Sequence, residues 1–319
     1  IGWCDWSSDV CSSDLAKAIK NNNLLIGSLC ALGCETLYGL SYIFTKTATE
    51  NAGTLALLGW RFFIAAVIMS ICIFIGLFKI DLKKKSLKAL VLVALFNPCV
   101  YFIGETIGIS HTTASESGVF LACIPVASLG ASTFFLKKKP SKNQTLGILI
   151  TLTGVILTIF AVGLSSSFSI IGYTFLFMAV ISYALYSVYV EKAKDYTETE
   201  ITFIMLVLGA VTFVTLAVTD ALLKGNFIEL LNLPFKESSF AIAILYQGIG
   251  CSIFAFLLAN VAIAKIGVNR TSSFIGIATV VSILAGVFFL RESFSIYQTI
   301  GVIMIIAGVY TANSKVGKG

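Results

Sequence analysis

Long apolar stretches alternate with short charged segments along most of the chain. Each apolar stretch is about 20 residues long, which is the length of helix that crosses the hydrocarbon core of a membrane. The pattern predicts ten membrane-spanning helices, with expected bounds at 24–44, 55–77, 89–109, 115–136, 144–163, 168–190, 201–223, 239–263, 271–290 and 296–312. The longest connection, 222–239, is too short to fold as a separate soluble domain. Any functional site is therefore expected among the helices.

The chain also contains an internal repeat. The segments QTLGILITLTGV at 144–155 and QTIGVIMIIAGV at 298–309 share Gln, Thr, two Gly and Val, and nearly all other positions exchange one apolar residue for another. The similarity extends outward, so that the first five predicted helices match the last five. Because five crossings are an odd number, the second copy must enter the membrane from the opposite side, as in many secondary transporters. The predicted fold is an all-α integral membrane protein of two inverted five-helix repeats, 24–163 and 168–312, followed by a cytoplasmic tail, 313–319.

The repeated segments carry glycines seven residues apart, Gly147 and Gly154 in one and Gly301 and Gly308 in the other. A spacing of seven places both glycines of a pair on one helix face, where the missing side chains let another helix approach closely. We expect these glycines to serve helix packing.

Lysine and arginine are concentrated in alternate connections, in runs such as KIDLKKKSLK (79–88) and KKKPSK (137–142). Short basic loops stay in the cytoplasm, so both termini are expected there, in a multi-pass protein of the cell membrane. Only 12% of the residues are charged and 57% are hydrophobic, against roughly 25% charged in soluble domains. The net charge of +6 therefore reflects topology and contact with the lipid bilayer. The basic runs lack interleaved aromatic residues, so no nucleic-acid partner is expected.

The first residues, IGWCDWSSDVCSSDL, lack an apolar segment of signal-peptide length and resemble a translated sequencing adapter. We therefore interpret residues 1–23 as a non-native or disordered tail, and exclude residues 1–15 from the fold. The remaining six cysteines all lie within predicted spans, without a CxxC pair or a nearby cluster of histidines. They are expected to be small packing residues, so the sequence predicts neither a metal site nor a cofactor.

Polar side chains form stripes along several otherwise apolar helices, and polar groups inside a membrane usually face the bundle interior. The stripes of the first repeat comprise Glu35, Tyr38 and Tyr42 in the first span and Asn97, Tyr101 and Glu105 in the third. Their counterparts in the second repeat are Tyr183, Tyr186 and Gln247. If these helices converge, the side chains line a substrate site rich in aromatic groups. Two alternatives stay open, since Tyr42 is close enough to a helix end to be an interfacial anchor, and Asn97 could satisfy a carbonyl freed by Pro98.

Three ionisable residues lie at similar depths in the first three spans, namely Glu35, Arg61 and Glu105. An unpaired Arg in hydrocarbon costs at least about 2.5 kcal/mol, so Arg61 is expected to have a partner or a water-filled surrounding. Glu105 is nearest in depth and is the expected partner in charge pairing. Glu35 is then left as the candidate carrier of a coupling proton or of a substrate amine.

The ten-helix plan, Arg61 in LALLGWRFFIAA, Pro125 in GVFLACIPVASLGAS and the run FLRESFSIYQTIGVIMIIAGVY together resemble the drug/metabolite transporter superfamily, specifically its EamA-type permeases. The resemblance spans about residues 24–312. It implies a permease of a bacterial inner or plasma membrane, often an exporter of amino acids or other small metabolites, with both halves lining a cavity. The sequence departs from the pattern at Lys138, where the second half has Glu292, and at Thr279, where the first half has Pro125. Both departures leave the identity of the substrate open, but they do not change the expected fold.

We therefore expect a secondary-active exporter of small metabolites, such as amino acids, that works by alternating access, with protons as the possible coupling ion. The alternatives are a facilitative or multidrug/nucleoside-type permease and, less favoured by the sequence, a non-transporting membrane receptor or structural protein. An enzyme is not expected, because the chain has one His and neither an HExxH nor a GxSxG motif. A GxxxxGK[ST] loop is also missing from the sequence, so ATP is not expected to drive the cycle. Substrate, direction of flux and oligomeric state stay open at this stage.

Overall fold

The computed structural model describes residues 6–49, 52–82, 85, 87–112, 117, 120–162, 169–290 and 295–314, and within these ranges all regular structure is helical. The helices are α1 (Trp6–Thr49), α2 (Thr54–Phe74), α3 (Lys88–Ala94), α4 (Tyr101–Ser110), α5 (Ile124–Leu136), α6 (Lys142–Val162), α7 (Ile170–Lys192), α8 (Glu198–Leu223), α9 (Phe227–Lys236), α10 (Ser238–Leu245), α11 (Phe256–Ile266), α12 (Val268–Ser273), α13 (Gly276–Leu290) and α14 (Ile296–Asn313). Two π-helical segments continue the chain between helices, Leu95–Val100 from α3 to α4 and Tyr246–Ala255 from α10 to α11.

The predicted membrane architecture is confirmed. Within the described ranges, nine helical segments are long and apolar enough to cross a membrane, and a shorter apolar helix at Phe120–Leu136 occupies the position of the fourth predicted span. The structure describes α1 from Trp6 onward, and the interpretation of residues 1–23 as a non-native or disordered tail stays a prediction. The boundaries of the two repeats stay predictions. The long connection 222–239 holds α9, a helix that the sequence pattern did not predict.

The repeated Gln residues close the first turn of equivalent helices. At the start of α6, the Ser141 backbone N–H donates to Gln144 Oε1 and the Gln144 N–H donates to Ser141 Oγ. At the start of α14, Ser295 and Gln298 make the same two bonds. Each pair is a capping box, which satisfies two backbone donors that a helix N-terminus otherwise leaves open. The shared Gln therefore sets the same start for the last helix of each repeat.

The repeated glycines bring these two helices into backbone contact. A Cβ atom on Gly147 would lie 2.5 Å from the Gly308 carbonyl oxygen, and one on Gly154 would lie 2.7 Å from the Gly301 carbonyl oxygen. Each glycine of one repeat thus meets the glycine at the opposite end of the other segment, as two antiparallel copies of one sequence must. The predicted packing role of the four glycines is confirmed.

Charged side chains also join the two halves at the bundle end that carries the basic connections. Glu200 of α8 is almost fully buried and accepts hydrogen bonds from Lys85 Nζ at 2.9 Å and from the Asp81 N–H at 2.9 Å. Glu191 of α7 accepts the Val268 N–H at 2.7 Å and forms an ion pair with Lys138. Lys138, a departure from the family pattern, thus ties the first half to the second. The halves are held together at this end in the conformation described.

Candidate functional site

The π-helical segments lie at equivalent positions of the two halves and each carries one polar predicted site residue. Asn97 has extended backbone angles (φ −140°, ψ 118°) immediately before Pro98, and Gln247 follows the first residue of the second segment. Both side chains are buried, with 3% and 2% of their surface exposed. The first segment is thus kinked at Asn97, whereas the second is a widened helical turn, a feature that is common at functional sites. The two segments therefore position an amide inside each half.

Arg61 of α2 connects the two halves through hydrogen bonds. Its Nε donates to Ser252 Oγ at 2.7 Å and its Nη1 donates to Gln247 Oε1 at 3.4 Å. The Gln247 amide in turn donates to Thr45 Oγ1 of α1 at 2.8 Å. Because α1 and α2 belong to the first half and the second π-helical segment to the other, this network crosses the interface between the repeats.

The guanidinium of Arg61 is also held by aromatic faces. Its Cζ lies 4.9 Å from the ring centroid of Phe102 and 5.3 Å from that of Phe62, distances at which a cation is attracted to a ring. Hydrogen bonds and rings together lower the cost of keeping a buried charge in the membrane. The Nη2 atom has no hydrogen-bond partner among the described residues.

The expected direct pairing of Arg61 with Glu105 is not formed. Glu105 interacts electrostatically with Arg61, but its carboxylate accepts a hydrogen bond from the Tyr101 hydroxyl at 3.0 Å, one turn earlier on α4. Ser252 and Gln247 accept hydrogen bonds from Nε and Nη1 of Arg61 instead. The helical spacing placed Glu105 at a suitable depth, but the nearer hydroxyl and amide groups of the second half make the direct contacts.

Tyrosines from three helices pack against one hydrophobic core cluster beside this network. The ring centroids of Tyr101 and Tyr183 are 5.6 Å apart and those of Tyr183 and Tyr186 are 5.4 Å apart, both edge to face. Tyr38 of α1 packs against the same core as Tyr101 and Tyr183. Tyr38, Tyr101 and Tyr183 are half-buried. The structure therefore brings Tyr101 and Tyr183 into contact and places Tyr38 against the same core, and one central space shared by all three stays a prediction.

Glu35 lies midway along the membrane part of α1 and is 6% exposed. Its carboxylate makes no hydrogen bond or ion pair to any described residue. Tyr42 is on the same helix, but its side chain lies outside the described residues. Asn97 Oδ1 has no hydrogen-bond partner within the described part of the chain. Glu35 thus lies one turn before Tyr38 on α1, while Arg61 is bound to Ser252 and Gln247.

Two consecutive stretches of the chain, residues 25–160 and 170–314, match the model of the EamA-like transporter family. The chain belongs to this family. Each match covers one five-helix repeat, and the family assigns the chain to the drug/metabolite transporters, which are multi-pass membrane proteins. This confirms the family and the fold class that the sequence predicted.

Two similar proteins are described as transporters. The uncharacterized transporter YcxC of Bacillus subtilis (strain 168) is 28% identical over 284 residues, covering 88% of this chain and 91% of that protein. The uncharacterized transporter YyaM of the same organism is 26% identical over 293 residues, covering 89% and 92%. A solved crystal structure of a protein that is 18% identical superposes with a TM-score of 0.71 and covers 90% of this chain and 96% of that chain. At this identity the structural likeness concerns the fold alone.

Several polar groups of this EamA-like transporter were not found from the sequence. Tyr186 is 1% exposed, and its hydroxyl donates to Asn260 Oδ1 at 2.7 Å. The Asn260 amide in turn donates to Thr202 Oγ1 at 2.9 Å. Tyr186 is therefore a core residue in this conformation and is more deeply buried than Tyr38, Tyr101 and Tyr183. Asn260 and Ser252 follow Gln247 along the eighth span, and extending the polar stripe beyond Gln247 would have found both. Among the described residues, no group of three or more His, Cys, Asp and Glu could hold a metal ion.

Proposed function

We propose that this chain is a secondary-active exporter of small metabolites, such as amino acids or related compounds, that works by alternating access. The observation that supports it is the position of the central site. Arg61, Ser252, Gln247 and Thr45 join the two inverted halves beside the core on which Tyr38, Tyr101 and Tyr183 pack. A rocking motion of one half against the other would open this point to either side of the membrane in turn.

The proposed roles follow from the chemistry of the side chains. The substrate-binding groups are Glu35, Tyr38, Tyr42, Asn97, Tyr101, Tyr183, Tyr186 and Gln247. The tyrosine rings supply apolar area with a hydroxyl at one edge, and the two amides can both donate and accept hydrogen bonds. Arg61 and Glu105 balance charge near the site, and Glu35 carries the coupling proton or contacts a substrate amine. The alternative is a facilitative permease with the same site, in which Glu35 has no coupling role.

The proposed orientation places both termini in the cytoplasm of a bacterial cell, in the inner or plasma membrane. It is supported by the basic connections, since Lys85 and Lys138 lie at one end of the bundle. A reporter fused after residue 165 should then be active only on the outer side, and one at the C-terminus only on the inner side. The opposite result at either position would overturn this orientation.

Purified protein in proteoliposomes tests the function. We expect it to accelerate movement of at least one member of a panel of radiolabelled amino acids, amines and nucleosides, relative to protein-free liposomes. An imposed pH gradient should drive that compound above equilibrium, because coupling uses the energy of the gradient. A facilitative permease would instead reach equilibrium at a rate that the gradient does not change. Failure of every compound in the panel would count against the proposed substrate class.

The location of the site is tested by substrate protection. In a background without native cysteines, Tyr38→Cys should react with a polar thiol reagent more slowly when a transported compound is present, because the compound occupies the shared space. Tyr297→Cys is the matched control, since Tyr297 is 57% exposed near the first turn of α14. Its labelling should not respond to substrate. Equal labelling at positions 38, 101 and 183 with and without every transported compound would place the cavity elsewhere.

A further inference from the structure

The helix α9 in the longest connection presents an apolar face away from the protein. Ile228, Leu231 and Phe235 are exposed by 68%, 44% and 86%, and their spacing of three and four residues places them on one side of the helix. The opposite side packs on the bundle, where Leu233 joins a cluster of buried side chains with Trp60. A helix with apolar residues exposed beside charged ones, here Glu229 and Lys236, is typical of a segment lying in the membrane interface.

A groove runs between α9, α2 and α8. Its cavity volume is about 120 Å³. Its lining consists of Gly59, Trp60, Phe63, Val214, Ala217, Val218, Leu230 and Leu231. All the side chains of this set are apolar, and Phe63 and Leu231, exposed by 45% and 44%, stand at the edge where the groove opens to the outside of the bundle.

The groove lies at the depth of lipid acyl chains. Its α2 residues are five to nine residues beyond the start of that helix at Thr54, and its α8 residues are five to nine residues before the end of that helix at Leu223. At 1.5 Å per residue, the lining lies about 7 to 14 Å inward from the helix ends that flank α9. This is within the hydrocarbon region of a bilayer.

The shape of the groove is fixed by two contacts of Trp60. Its indole N–H donates to the Leu230 carbonyl oxygen of α9 at 3.0 Å, which holds α9 across the end of α2. Its ring packs edge to face against Phe63, with centroids 5.7 Å apart. The only polar group of the Trp60 side chain is therefore already satisfied, and the wall that it offers to the groove is apolar.

We propose that this groove is a binding site for one acyl chain of a phospholipid in the leaflet that contacts α9. Water is a poor occupant because the lining offers it no hydrogen bonds, whereas the acyl chains of the bilayer are continuous with the open edge at Phe63 and Leu231. The exposed face of α9 rests on the same leaflet, with Lys236 and Glu229 at the headgroup level. Groove and interfacial helix together form one lipid-binding surface, distinct from the central site.

Fluorescence of Trp60 tests the proposal. The chain contains three Trp, so the double variant Trp3→Phe and Trp6→Phe leaves Trp60 as the only one. The protein is reconstituted into vesicles of phosphatidylcholine with either plain or brominated acyl chains, since bromine quenches indole fluorescence only at close range. We expect the brominated lipid to quench Trp60 strongly. Filling the groove with Val218→Phe, or with Val214→Phe if the first variant does not fold, should remove most of this quenching.

The matched control is Val211→Phe on the same helix. Val211 is 60% exposed and is not part of the groove lining, so the same substitution there should leave the quenching unchanged. Equal quenching in the Val218→Phe and Val211→Phe variants would mean that Trp60 senses only the general lipid surround, and would overturn the site. Weak quenching that strengthens as the protein is diluted in lipid would assign the groove to a second copy of the chain, and would also overturn it.

Discussion

Replacing Glu35 with Gln is expected to reduce uptake driven by a pH gradient to the level of protein-free liposomes, while substrate still protects position 38 from labelling. The physical reason is that Glu35 is buried, with 6% of its surface exposed, and makes no hydrogen bond or ion pair to a described residue. A carboxyl group of this kind in a membrane helix can change protonation without breaking a structural contact. Gln keeps the size and the polarity of the side chain but cannot release a proton.

Two variants with the same chemical change serve as comparisons for Glu35→Gln. Glu105→Gln should lower the yield or the thermal stability of the protein, because Glu105 contributes charge balance near Arg61 and accepts the Tyr101 hydroxyl. Glu237→Gln, at an exposed position beyond α9, should change neither property. Uptake by the Glu35→Gln protein that still accelerates with the pH gradient, as in the unmodified protein, would rule out the coupling role. Transport itself would not be called into question by that result.

The membrane architecture could be predicted because its causes are local in sequence. A span needs about 20 apolar residues whatever its neighbours are, and an odd number of helices in a repeat forces inversion. The glycine contacts were predictable for the same reason, since Gly147 and Gly154 must share one face of any helix. The packing of Tyr38, Tyr101 and Tyr183 against one core needed one further assumption, that polar faces of membrane helices turn inward.

The direct partners of Arg61 could not be predicted from spacing. Helical periodicity gives the face of a residue on its own helix and its depth, but it does not give the rotation of one helix against another. Ser252 therefore went unnoticed although it receives the shortest hydrogen bond of Arg61, and Glu105 was assigned on depth alone. The π-helical segments add to this difficulty. A widened turn rotates the Gln247 side chain about the helix axis, away from the direction it would have in a regular helix. Helix α9 was missed because a helix of ten residues is shorter than the spans that the apolar pattern detects.

The crossing of α6 and α14 leads to the largest expected effect on folding. Gly147 lies against backbone atoms only, since its added Cβ would be 2.5 Å from the Gly308 carbonyl oxygen and 2.7 Å from Ala312 Cα. A flexible side chain can turn away from an added methyl group, whereas backbone atoms move only if the whole helix moves. Close helix contact is also the main source of helix association in a membrane, where lipid tails are as apolar as the side chains.

Gly147→Ala is therefore expected to destabilise the protein by about 1 to 3 kcal/mol, the usual cost of overpacking, and to reduce the yield of monodisperse protein in detergent. Gly130→Ala is the matched control, because Gly130 also lies within a membrane helix but has open space where the Cβ would be. Ala favours a helix more than Gly does, so the control should be as stable as the unmodified protein or more stable. Thermal unfolding followed by size-exclusion chromatography measures both variants. Equal midpoints for the two variants would mean that α6 and α14 do not approach as closely as the glycine contacts require, and the packing of the two repeats would have to be reassigned.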